Sequence, residues 1–122
     1  MIITRIDATA APRPIMSRCV MYGQMVYLSG LTAPDSSQDI KGQAQQILDL
    51  VDDYLDRANT DKSHALTAQI WLKDMSDFAA FNSVWNAWVD PIQAPARACV
   101  EATMARPEVL VEIMITAARA AA

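Results

Sequence analysis

Residues 95 to 102, PARACVEA, set one guanidinium and one thiol two positions apart in a run with no other basic residue. Read as a strand, the run alternates: Arg97, Cys99, Glu101 and Thr103 share one face, and Ala98, Val100, Ala102 and Met104 share the other. The apolar set reads as the helix-facing side, so Arg97 is expected to point away from this chain's own core. A guanidinium in that position needs an anion, and its forked donors suit a carboxylate held through two hydrogen bonds. Spacing leaves two sources open, a ligand carboxylate or an Asp or Glu in an intersubunit ion pair.

The other reactive side chains are weaker candidates. Cys99 lies beside a cation that could favour its thiolate, but no histidine is near it in sequence, and free cysteines more often pack than react. His64 opens a strand with no second histidine and no carboxylate at ligand spacing, and reads as a surface residue. Glu112 shares a strand face with Leu110 and Met114, and reads as an exposed acid or as the arginine's partner. Phe78, Phe81, Trp85 and Trp88 at helical spacing read as core, and the acids between 49 and 56 as a solvated helix face.

These residues need a frame, and the periodicities supply one. Arg18 to Met21 and MVYLSG at 25 to 30, joined by Tyr22-Gly23, predict a hairpin. Behind Asp39 as N-cap, the apolar positions Ile40, Ala44, Ile47, Leu48, Val51, Leu55 and Ala58 predict an amphipathic helix. His64 to Lys73 alternates as a strand with Leu66, Ala68, Ile70 and Leu72 toward the core. Asp74 or Ser76 caps a second helix, and strands at Arg97 to Ala105 and Val109 to Ala117 follow, separated by the short turn Arg106-Pro107-Glu108. The order is ββ(β)αβαββ. One apolar stripe on each helix predicts both helices on one side of a mixed sheet. The other face, bearing Trp71 and Cys99, is then too apolar for water, and self-association is the expected remedy.

The chain of 122 residues has the length of one domain, assigned here to 1–122. No window approaches a membrane span and the N-terminus lacks the pattern of a secretory signal, so a cytoplasmic location is expected. Two cysteines without CxxC spacing predict free thiols. A net charge of −4 without a Lys/Arg cluster disfavours nucleic acid as a partner. No glycine-rich nucleotide loop or metal-ligand cluster is present, so no cofactor or metal is expected.

Four blocks, GQMVYLSG (23–30), LKDMSDFAAFN (72–82), PARACVEA (95–102) and the closing VLVEIMITAA, give the chain a resemblance to the Rid (YjgF-like) family. The best-known members of that family are enamine/imine deaminases. The resemblance implies an α+β, chorismate-mutase-like fold, assembled as a homotrimer whose sheets form a barrel-like centre with ligand pockets between subunits. It implies that Arg97 grips a substrate carboxylate, with Cys99 beside it as a catalytic position, and that Ser29, Gly30 and Asn82 line the pocket. It also exposes two departures: Met114 stands where deaminating members usually carry a water-positioning glutamate, and Met16 where they carry a tyrosine; Glu112, one strand step from Met114 on the same face, is a lesser candidate to substitute. The implied reaction is hydrolysis of a 2-imino acid to a 2-keto acid and ammonia. The alternative is a non-catalytic carboxylate-binding or chaperone-like module that has lost its water-activating acid.

Overall fold

The computed structural model describes residues 2–120; Met1, Ala121 and Ala122, within the span assigned to the domain, lie outside the described residues. The elements run β1 (Ile3–Ala8), β2 (Ser17–Tyr22), β3 (Met25–Leu28), α1 (Ile40–Arg57), β4 (Ala65–Leu72), α2 (Phe78–Trp88), β5 (Ala96–Glu101) and β6 (Val111–Ala118). The bracketed extra strand is therefore real, and it is the N-terminal one. It is held to α1 through Asp7, whose carboxylate accepts hydrogen bonds from the Tyr54 hydroxyl at 2.6 Å and from Arg57 at 3.1 Å.

Helix α1 begins where the sequence places it, because the Asp39 carboxylate accepts the Gly42 N–H at 2.9 Å and satisfies an otherwise unpaired donor. It ends at Arg57, and the chain turns away at Asn59, whose positive φ of 60° suits asparagine better than most side chains. Its stripe Ile40, Ala44, Ile47, Leu48, Val51 and Leu55 is buried. On α2, Phe81, Trp85 and Trp88 are buried in the same core, and the Trp88 indole N–H reaches the Asp52 carboxylate of α1 at 3.1 Å. One acid of the helix face expected to be solvated thus ties the two helices together.

The sheet has six strands in the order β1-β2-β3-β6-β4-β5, with all neighbours antiparallel except β4 and β5. Its core face carries Cys19, Met21, Val26, Leu28, Ala68, Ile70, Leu72, Val111, Ile113, Ile115 and Ala117, which form one cluster with the stripes of both helices. The expected mixed α+β arrangement, with both helices on one face, is what the structure has.

Three local expectations fail. The turn at 106–108 does not make neighbours of β5 and β6: β4 lies between them, and residues 102–110 cross over its end. Strand β5 stops at Glu101 rather than Ala105, after which the Ala102 N–H turns to the Leu72 carbonyl at 2.9 Å. Leu66 is 45% exposed, not in the core, because the register against β6 shifts between Ala65 and Thr67, and the extra residue of this bulge puts Ala65 inward instead.

Gln43 gives no periodic signal that marks it as structural, yet it is fully buried on α1. Its amide nitrogen donates to the carbonyls of Ser36, Gln38 and Glu108, and its Oε1 accepts the Leu110 N–H at 2.9 Å. One side chain therefore fastens the loop before α1 to the crossover that enters β6. Gln43→Ala would orphan those part-buried backbone groups and leave a void, so it should destabilise the fold by about 2–4 kcal/mol in urea titrations. A loss under about 0.5 kcal/mol, the range of ordinary surface changes, would show that water replaces the amide without penalty.

Candidate functional site

Arg97 lies on the core side of the sheet, not on the open side expected from alternation. Strand β5 pairs in register with β4, so Arg97, Cys99 and Glu101 stand beside Ala68, Ile70 and Leu72, while Ala98 and Val100 take the open face. The apolar half of the strand is the exposed half. What makes this arrangement stable is α2. Phe78, Phe81, Asn82 and Trp85 occupy successive turns on one side of that helix and form a wall against which the arginine lies.

The guanidinium carbon sits 5.8 Å from the Phe78 ring centre, 5.7 Å from Phe81 and 5.4 Å from Trp85, all within cation–π range. Nη2 donates to Asn82 Oδ1 at 2.7 Å. The partner is a neutral amide. Among the described residues no carboxylate lies within ion-pair distance of Arg97, so its positive charge is held in place without being cancelled. Glu101, on the same strand face, instead accepts the Met75 N–H at 3.0 Å. Glu112, named as a possible partner, is on the opposite face.

Cys99 follows on the Arg97 side, half-buried against the core. Burial pushes its thiol above the ordinary cysteine range, against a smaller opposing pull from the Arg97 charge. The neutral thiol therefore prevails at neutral pH, as inert packing requires. His64 is exposed; its Nδ1 lies 3.2 Å from Asp61 Oδ1, a nearby carboxylate that spacing had not credited. Asp61 also accepts from Ser63 and caps the short 3-10 turn Lys62–His64, so this trio is a local turn.

Ser29, Gly30, Met16 and Met114 are elsewhere. Tyr27 pairs with Thr116 and Gln69 with Met114, which puts Ser29 and Met114 level on neighbouring strands of the open face. Met114 is 40% exposed. Ser29 Oγ is buried without a hydrogen-bond partner. Met16 enters β2 at the same end of the sheet as Gly30, its backbone clasped by Thr9 on both sides. Between Arg97 on β5 and Ser29 after β3 lie three strand spacings, or about 14 Å, and the two occupy opposite faces. Within one chain the structure unites Arg97, Cys99 and Asn82, and separately Ser29, Gly30 and Met114, but does not unite the two groups.

Glu112, considered as a substitute for the acid absent at 114, lies with this second group. A Cβ added at Gly30 would stand 2.1 Å from Glu112 Oε2, so the carboxylate rests directly on the glycine. The shared strand face of Glu112 and Met114, two residues apart, is the signal that brought it into consideration.

With this geometry in hand, comparison with known proteins assigns the chain and its fold to a family. The sequence description of the family "Endoribonuclease L-PSP" matches residues 7–119. A RutC family protein of Haemophilus ducreyi is 43% identical over 116 residues, covering 95% of this chain and 96% of its own. The RutC family protein YoaB of Escherichia coli is 38% identical over 119 residues, covering 97% and 99%. A crystal structure of a YjgF-family protein from Neisseria meningitidis superposes with a TM-score of 0.91 at 41% identity, covering 100% of this chain and 98% of that one. The chain belongs to this family, to which the YjgF, RutC and Rid names all attach. Among the described residues no helix is long and apolar enough to cross a membrane.

The raised thiol of Cys99 makes a direct prediction. Iodoacetamide should label it more slowly at pH 7 than an unperturbed cysteine, and its rate-against-pH midpoint, followed by mass spectrometry of the Cys99 peptide, should lie above that of the free amino acid. A midpoint below the free value would make Cys99 an activated nucleophile instead.

Proposed function

We propose that this protein binds a small 2-keto or 2-imino carboxylate at Arg97 and hydrolyses the imino acid to a keto acid and ammonia. The observation that carries this reading is the guanidinium on its aromatic wall, fixed by a neutral amide and lacking a carboxylate partner among the described residues. Such a group has donors to spare and charge to satisfy, which a ligand carboxylate does with two hydrogen bonds. Water then attacks the C=N carbon of the bound imine.

The reading includes a homotrimer. The open face exposes Tyr22, Tyr27, Val100 and Met114, with Trp71 half-buried among them, and another copy of the chain is the natural cover for so large an apolar surface. A pocket between copies would also bring the Arg97 group of one chain to the Ser29 group of its neighbour, which a single chain leaves apart. The second reading, a binding module without catalysis, rests on Met114, since a thioether neither orients water through a charge nor carries a proton. The nuclease in the family's name finds little support in a chain of net charge −4.

Arg97→Ala tests the anchor. Titration calorimetry with 2-ketobutyrate should register a loss of affinity of about 100-fold, the magnitude of a lost charge-assisted pair, while light scattering still gives the mass of three 13.4 kDa chains. If the variant instead fails to assemble, Arg97 serves an intersubunit ion pair. Unchanged affinity would place the ligand elsewhere, and a wild-type mass of one chain would remove the trimer.

A further inference from the structure

A cavity of about 330 Å³ draws its walls from four parts of the fold and shares no residue with the Arg97 group. Strand β2 supplies Arg18, the loop after β3 supplies Thr32, Ala33 and Pro34, α1 supplies Leu50, and the crossover into β6 supplies Arg106. Among the described residues no acidic side chain lines it. Arg18 is half-buried, and its guanidinium has neither a hydrogen-bond nor an ion-pair partner among the described residues. Asp7 does not serve it: that carboxyl is held below the usual range first by the hydrogen bond from Arg57 and then by the one from Tyr54, and Arg18 is the weakest influence on it. Arg106 meets only Glu108, at 3.7 Å in an exposed pair, which leaves its charge largely available. The loop adds two further donors. Neither the Thr32 N–H nor the Ala33 N–H has a hydrogen-bond partner among the described residues, although Ala33 is only 4% exposed, and buried backbone donors are seldom left so.

We infer that this cavity is a second ligand site, separate from the Arg97 anchor, and that it takes a small phosphate monoester. A flat carboxylate is satisfied by the fork of one guanidinium, as at Arg97. Here two guanidiniums on separate elements and a pair of successive backbone N–H groups border one space, and that set suits the three terminal oxygens of a tetrahedral dianion. Pro34 and Leu50 give the same space an apolar wall, which a carbon skeleton attached to the phosphate would cover. The volume sets the size of that skeleton. It stands at the low end of the range for small-molecule pockets, and so fits a phosphorylated compound of a few carbons rather than a nucleotide. Binding is non-covalent and consumes nothing.

The test titrates the full chain with glycerol 3-phosphate, with inorganic phosphate, and with glycerol and succinate as controls, by calorimetry and by amide chemical shifts. Glycerol 3-phosphate should bind most tightly, inorganic phosphate more weakly, and the controls not measurably. The Thr32 and Ala33 amide signals should move as it binds. Arg18→Gln should weaken binding by about 10- to 100-fold, the worth of one charge-assisted hydrogen-bonded contact, and Arg106→Gln should weaken it too. Arg97→Ala should leave it unchanged, which keeps this site distinct from the proposed carboxylate anchor. If thermal melting shows that Arg18→Gln does not fold, Arg106→Gln carries the test, since its side chain is 57% exposed and its loss should not disturb the core. No binding of either phosphate by the wild type, or binding that neither Arg18→Gln nor Arg106→Gln weakens, overturns the site. Succinate binding as tightly as glycerol 3-phosphate overturns the assignment to phosphate, and binding lost in Arg97→Ala instead places the phosphate at the anchor and overturns the proposal.

Discussion

An arginine held in place but left without a counter-charge is the constraint around which this fold is arranged. Moving a guanidinium off bulk water is costly unless something replaces its hydration. Three aromatic faces within 6 Å contribute about 0.5–2 kcal/mol each, and the hydrogen bond to Asn82 adds about 1.5–3 kcal/mol. Those terms keep Arg97 in one orientation without neutralising it. An aspartate at position 82 would fix it equally well and would compete with any ligand carboxylate. The neutral amide is thus the choice that separates positioning from neutralisation.

The rest of the structure holds that wall and that strand against each other. Helix α2 is short, so its placement depends on Phe81, Trp85 and Trp88 in the core and on the Trp88–Asp52 hydrogen bond to α1. Strand β5 is an edge paired only to β4, and its register there decides that Arg97 meets α2 instead of the open face. β4 in turn is fixed by its antiparallel pairing with β6, whose entry Gln43 secures from α1. An interaction chain therefore runs from a buried glutamine through two strands to the guanidinium.

Much of this was legible in the sequence because periodicity reports burial. The stripe on α1, the Asp39 cap and the buried Phe81, Trp85 and Trp88 of α2 follow from side-chain type and spacing alone, whereas Phe78, read with them as core, is 39% exposed. The face of Arg97 does not. Alternation sorts a strand into two sets but says nothing about which set is inside, and the rule that apolar residues go inward chose Ala98 and Val100. That rule fails here because the small set lies on the sheet face without helices, while the charged set is accommodated by ring faces on the helix just before the strand, which alternation within the strand does not report. Leu66 fails for a related reason, since one bulged residue inverts the pattern upstream of it. Gln43 was silent because a polar residue in a helical stripe looks like solvent unless its four partners, spread from residue 36 to 110, are already known. The expected pocket residues come from a resemblance in short blocks, and their division between two faces was not visible in any of them.

That division bears on how such a protein works. The anchor at Arg97 and the group around Ser29, Gly30 and Glu112 lie on opposite faces, about 14 Å apart by strand count. A small imino acid, only a few bonds long, cannot touch both within one chain. On the proposed reading it meets them where the edge strand of one copy approaches the open face of another. Burial of the apolar face and completion of the pocket are then the same event. A dissociated chain would retain an oriented cation with nothing opposite it. Assembly would act as the switch between those states, through mass action on the subunit interface rather than through any change within the fold.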